Sequence, residues 1–258
     1  MSCLDEFDED WDSNDPSKWH ERFPSAKGYF QSPINIKLSQ TVMQNYTPFI
    51  FSSKSKNRHL FTLKNLGHKL TVTLAEKNHS KEAASLWVTG GGLTGTFHFV
   101  NFHLHWGKNE RHGSEHEING YRFPAEAHFI YKNLENQEMA IFAFILDVSG
   151  RFDDENTEWK KYTDATSLLK NNGDTYECTF NLSNLMQIEN KKFVRYIGSL
   201  TTPPCTEGVI WTIFLNVIPI TEHSLNLLRN NVMRESCRPI QPVNNRIIYR
   251  NFDKLNML

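Results

Sequence analysis

The chain has 258 residues, of which 39% are hydrophobic, and a formal net charge of -1. That length and apolar share suit one large domain with its own core, and the balanced charge provides no long-range field to gather nucleic acid or an acidic membrane surface. No apolar run approaches the ~18 residues of a membrane span, the acidic opening MSCLDEFDED is unlike a secretory leader, and Cys3, Cys178, Cys205 and Cys237 form no CxxC pair; a cytoplasmic protein with free thiols is expected, or a secreted one if a leader has been removed.

In chain order, residues 1–15 read as a loose arm and 16–258 as one domain, with no repeat or linker to divide it. The stretch WHERFPSAKGYFQSPINI mixes aromatics with turn residues, as a strap laid over a core would. HKLTVTL, FHFVNFHLHW, AEAHFIY, MAIFAFIL and GVIWTIFLNV read as strands, several apolar enough to be buried on both faces. Convincing helices are few, and the best are DENTEWKKYTDATSLL and TEHSLNLLRNNV, the second with Thr221 as N-cap and Glu222 in its first turn. The expected fold is mainly β (α+β): a large, central, twisted, mixed but mostly antiparallel sheet of about ten strands with short peripheral helices.

NFHLHWG carries the first chemical signal. Strand side chains alternate faces, so Val100, Phe102, Leu104 and Trp106 are expected on one side and Asn101, His103 and His105 on the other. Two adjacent imidazoles opposite an apolar face fit a metal better than a core role. A catalytic zinc takes three protein ligands and leaves one position open, and PAEAHFIY offers the third: His128 shares a face with Glu126 and Ile130, and Glu126 can accept the second ring N–H of His128. HEING has Gly120 where a metalloprotease helix has its second histidine, PPCTE lacks a second cysteine, and His112 and His116 lie in a polar loop.

Together these stretches resemble the α-class carbonic anhydrases. From about Trp19 to Tyr249 the motifs QSPINI, NFHLHWG, GSEHEING, AEAHFIY, GSLTTPPCTEGVIW and RPIQP occur in the family's order. The resemblance implies one catalytic Zn²⁺ on His103, His105 and His128, and reversible hydration of CO₂ to bicarbonate and a proton by zinc-bound hydroxide. Carbonic anhydrase is itself the reference case for a His₃ zinc that brings deprotonation of water near neutral pH. It further implies that Thr201 accepts the hydroxide proton and donates its own to Glu115, that Thr202 contacts bicarbonate, and that Ile130, Ile141, Leu200, Val209 and Trp211 wall an apolar CO₂ pocket. His68 matches the proton shuttle, a role suited to an exposed imidazole. Asn101, Glu126, His116 and Tyr196 match the polar groups behind the ligands, and cis peptides are implied before Pro33 and Pro204.

Some positions depart from the pattern. Asn101 replaces a longer glutamine, Leu66 replaces a common asparagine, and the segment between FIYKNLENQ and EMAIFAF is shortened. Cys205 matches a residue that is bridged in secreted relatives to a cysteine upstream of QSPINI, where this chain reads SAKGYF. The implied partners are CO₂, water and bicarbonate, acted on by a monomer without nucleic acid or a membrane span. The competing reading is a binding protein on the same fold that has lost hydration, and the intact His103, His105, His128, Glu115 and Thr201 argue against it.

Overall fold

The computed structural model describes residues 15–76, 83–148, 155–187, 191–231 and 237–253. The expected arm, apart from Asp15, lies outside the described residues, as does Cys3. The strands are β1 (Asn35–Ile36), β2 (Val42–Met43), β3 (Phe49–Phe51), β4 (Arg58–Asn65), β5 (Leu70–Leu74), β6 (Trp87–Gly90), β7 (Phe97–Trp106), β8 (Glu117–Ile118), β9 (Ala125–Asn133), β10 (Met139–Val148), β11 (Thr175–Asn181), β12 (Phe193–Ser199), β13 (Glu207–Ile220) and β14 (Tyr249–Arg250). The α-helices are α1 (Trp19–Arg22), α2 (Thr157–Thr166), α3 (Leu182–Met186) and α4 (Glu222–Asn231).

Twelve strands form one mixed sheet in the order β11-β4-β5-β7-β9-β10-β13-β12-β14-β2, with β6 pairing with β7 and β3. Among the described residues only β10–β13 and β14–β2 are parallel within it, and β1 and β8 make a separate parallel pair. The mostly antiparallel mixed sheet and single domain agree with expectation. The strands exceed ten because β2, β3, β6 and β14 are two to four residues long, too short to show a period in sequence.

Apolar runs occupy the middle of the sheet because both faces are covered there. Along β10 all seven residues Ala140–Leu146 are buried. One face packs Phe102, Phe129 and Phe144 with Trp159 and Tyr162 of α2 and Leu225 and Leu228 of α4. Phe102 and Phe129 stack at 5.0 Å, and Phe144 and Phe214 at 4.6 Å. The opposite face packs Ile130, Ile141, Val209 and Trp211 beneath Ile34, Ile36 and Ile118. Helix α2 starts later than the pattern implies because the Asn156 side chain accepts from the N–H groups of Glu158 and Trp159. At α4, Ser224 N–H donates to the Thr221 hydroxyl at 3.2 Å, the cap expected there.

Strand β7 corrects one expectation. Its pairing with β9 slips between Phe99 and Asn101, so that Phe99 faces Tyr131 and Asn101 faces Ile130. The bulged residue is Val100, which packs with the Ile130 and Trp211 cluster rather than with Phe102. An extra residue at a bulge breaks the two-residue alternation. Phe97 and Phe99 therefore share the aromatic face with Phe102.

Strands β9 and β10 join through a tight turn in which Asn133 N–H donates to Glu138 O at 2.9 Å and Gln137 N–H to Asn133 O at 3.0 Å, in keeping with the shortened segment. The Ser32–Pro33 and Pro203–Pro204 peptides are cis, as expected.

Candidate metal centre and its surroundings

Sheet register builds the site. His103 on β7 lies opposite His128 on β9, and His105 lies opposite Glu126. The next row runs Asn101, Ile130, Ile141, Trp211 and Tyr196 across β7, β9, β10, β13 and β12. Cross-strand partners present side chains to the same face, so the histidines and the apolar wall lie side by side on rigid, doubly paired strands.

The three imidazoles converge. One ring nitrogen from each of His103, His105 and His128 lies within 4.8 Å of the others, and the ring centroids are 5.0, 5.3 and 4.6 Å apart. His105 and His128 are buried and His103 is half-buried. Burial, followed by the neighbouring rings of His105 and His128, holds the His103 pKa well below the usual imidazole value. A neutral ring is the form that binds a metal.

Hydrogen bonds assign the tautomer of His128. Its Nε2 donates to Glu126 Oε1 at 2.8 Å, which leaves Nδ1 as the lone-pair nitrogen. Glu126 is fully buried and also accepts from His116 Nδ1 at 2.7 Å and His116 N–H at 2.8 Å. Burial alone would raise its pKa, but the charge and hydrogen bonds of His116 and the hydrogen bond of His128 outweigh this and hold it well below the carboxylate range. His116, Glu126 and His128 also bring ligand atoms within 4.8 Å of one another, but their facing atoms are engaged with one another. His116 Nε2 and the Tyr196 hydroxyl oxygen are hydrogen-bonded at 2.7 Å, and that oxygen lies 2.7 Å from Ser32 Oγ. Burial pushes the Tyr196 pKa up, so the phenol stays protonated.

Glu115 is fully buried between β7 and β8. Its Oε1 accepts from Arg238 N–H at 3.0 Å. Its Oε2 has no hydrogen-bond partner among the described residues and lies 3.4 Å from His105 Nε2 and 3.9 Å from His128 Nδ1. Thr201 is buried after β12, and no hydrogen bond links it to Glu115 among the described residues. Asn101 Oδ1 is likewise buried without a hydrogen-bond partner among them. His68, in the β4–β5 turn, lines one cleft with His103, His105 and Thr202. Ile130, Ile141, Val209 and Trp211 are buried in one cluster, with Leu200 packed against it.

The donor set fits zinc: three imidazoles, one oriented by a carboxylate, beside a cleft. The sequence reading gave no role to Ser32, Ser199 and Arg238. Ser32 N–H donates to Ser199 Oγ at 2.9 Å, and Trp211 Nε1 donates to Ser199 O at 2.9 Å. Arg238 Nη1 donates to Gln31 Oε1 and Ser32 O.

Residues 14–252 match the family model of eukaryotic-type carbonic anhydrases. The chain belongs to the carbonic anhydrase family. It is 33% identical to human (Homo sapiens) carbonic anhydrase 7 over 258 residues, covering 92% of this chain and 94% of that protein. It is 31% identical to mouse (Mus musculus) carbonic anhydrase 6, covering 92% and 78%, and 26% identical to human carbonic anhydrase 3, covering 93% and 96%. Carbonic anhydrases are lyases that hydrate CO₂, so the site lies in an enzyme of that class. Among the described residues no helix is long and apolar enough to cross a membrane.

Proposed function

We propose that this carbonic anhydrase hydrates CO₂ reversibly with Zn²⁺ held by His103, His105 and His128. The observation that carries this is the convergence of three imidazole nitrogens, with the other nitrogen of His128 fixed by buried Glu126. Bound zinc supplies a Lewis acid that brings the deprotonation of water near neutral pH. Glu115 Oε2, the buried acceptor without a hydrogen-bond partner among the described residues, would accept a hydrogen bond from the Thr201 hydroxyl and leave the Thr201 oxygen to accept from the nucleophile and aim it. Thr202 holds the product.

The apolar row of Ile130, Ile141, Leu200, Val209 and Trp211 suits CO₂, which has no net dipole, and excludes competing water. His68 lies in the same cleft as His103 and carries the proton to buffer. Cys178 and Cys205 form no disulfide among the described residues, which supports a reducing, cytoplasmic setting.

Stopped-flow CO₂ hydration with a pH indicator tests the proposal on protein of measured zinc content. Hydration should vanish when zinc is stripped and return with it. A fully zinc-loaded protein with no rate above buffer would refute it and leave the binding reading. Replacing His68 with Ala should slow turnover at low buffer concentration, with rescue by added imidazole.

A further inference from the structure

On the aromatic side of the sheet lies a groove of about 1510 Å³, lined by Phe49, Phe193 and Phe214 and by the polar groups of α3 and the start of α2. Lys191 lines it, half-buried, with Nζ 5.8 Å from the centre of the Phe144 ring. Its Nζ makes a long hydrogen bond, 3.5 Å to Met186 O. No carboxylate among the described residues pairs with it.

We propose that Lys191 is a carbamate-forming residue, whose Nζ binds CO₂ covalently and reversibly inside this groove. The free amine attacks the carbon of CO₂, an N–C bond forms, and one C=O π pair moves onto oxygen. The nitrogen then gives up a proton to solvent, leaving Nζ–COO⁻. Counted from the ammonium, the step releases two protons and changes the side chain from +1 to -1. No oxidant or cofactor is needed.

Two features of the site favour the step. The reactive form is the free amine, and burial pushes the Lys191 pKa down to about 8. The product is an anion, and the charged residues lining the groove besides Lys191 are Lys56, Lys192 and Glu155, so cations outnumber anions there. The side-chain amides of Asn184 and Gln187 line the groove as further donors. Lys160 is the internal contrast: its Nζ lies 2.7 Å from Asp164 Oδ2, a pairing that raises its pKa and keeps it protonated. The proposal uses the same gas as the hydration reading but none of its residues, so the two fail separately.

The test is trapping with a trialkyloxonium reagent in ¹³C-labelled CO₂/bicarbonate buffer, followed by peptide mass spectrometry, on zinc-loaded and zinc-stripped protein. Label at Lys191 should rise with CO₂ pressure and with pH up to and beyond 8. It should exceed that at Lys160 by about tenfold or more at pH 8, the free-amine fractions differing by more than that. It should be equal in both zinc states and absent from Lys191→Arg, whose folding is checked by circular dichroism and by an unchanged hydration rate. Label at Lys191 no greater than at Lys160 would overturn the proposal. Label confined to the zinc-loaded form would overturn direct reaction with dissolved CO₂.

Discussion

Asn101 sits two residues before His103 along β7, and its buried Oδ1 finds no hydrogen-bond partner among the described residues. A methylene more would extend its reach toward the imidazole. Asn101→Gln is therefore expected to tighten zinc by about tenfold, within the range that such supporting hydrogen bonds carry, as read by chelator competition. Gly198 shows the opposite constraint. A Cβ there would lie 2.1 Å from Ser32 Oγ, so Gly198→Ala should destabilise the fold by about 1–3 kcal/mol in denaturant titration and part Ser32 from Tyr196. The three histidines were legible because their spacing is short and strand periodicity assigns their face. Ser32 and Ser199 were not, since a serine carries no sign in sequence of the partner that its hydroxyl meets 167 residues away.

At the scale of elements, long strands announced themselves through continuous apolar runs, whereas the bulge at Val100 did not. Periodicity assumes an unbroken register, and nothing in FVNF marks where an extra residue enters. The consequence is physical: the bulge lets one strand give Phe97 and Phe99 to the aromatic face and still present Asn101, His103 and His105 on the other. The start of α4 was legible through its Thr221 cap, whereas the Asn156 cap that delays α2 was not. Asn156→Ala removes the acceptor of two N–H groups of α2 and should cost about 1 kcal/mol, measured by thermal unfolding, with hydration unchanged because α2 covers the face away from the histidines.

For the whole molecule, the site stands on strands that are hydrogen-bonded on both sides and packed on both faces. Removing zinc should therefore leave the far-ultraviolet circular dichroism unchanged while lowering the unfolding midpoint by an amount that depends on free zinc concentration, as expected for a ligand that binds only the folded state. Loss of the β signal with the metal would show instead that zinc holds the sheet together. The family resemblance was readable from ordered motifs, and the sheet class from its apolar runs. The path of the sheet was not, because β10 beside β13 is a parallel pairing between segments some seventy residues apart, and no local pattern encodes that choice.

The bond from Arg238 N–H to Glu115 Oε1 spans 123 positions, and it has a consequence in time. A chain emerging from the ribosome can pair β7 with β9 early, bringing the three imidazoles together while a third of the polypeptide is still unmade. The carboxylate beside them has no anchor until residue 238 arrives. Contacts so distant form slowly, since loop closure must precede them. On the proposed zinc reading, metal uptake and competence for turnover are expected to be separable, and a nascent chain stalled before residue 238 should bind zinc without turning over.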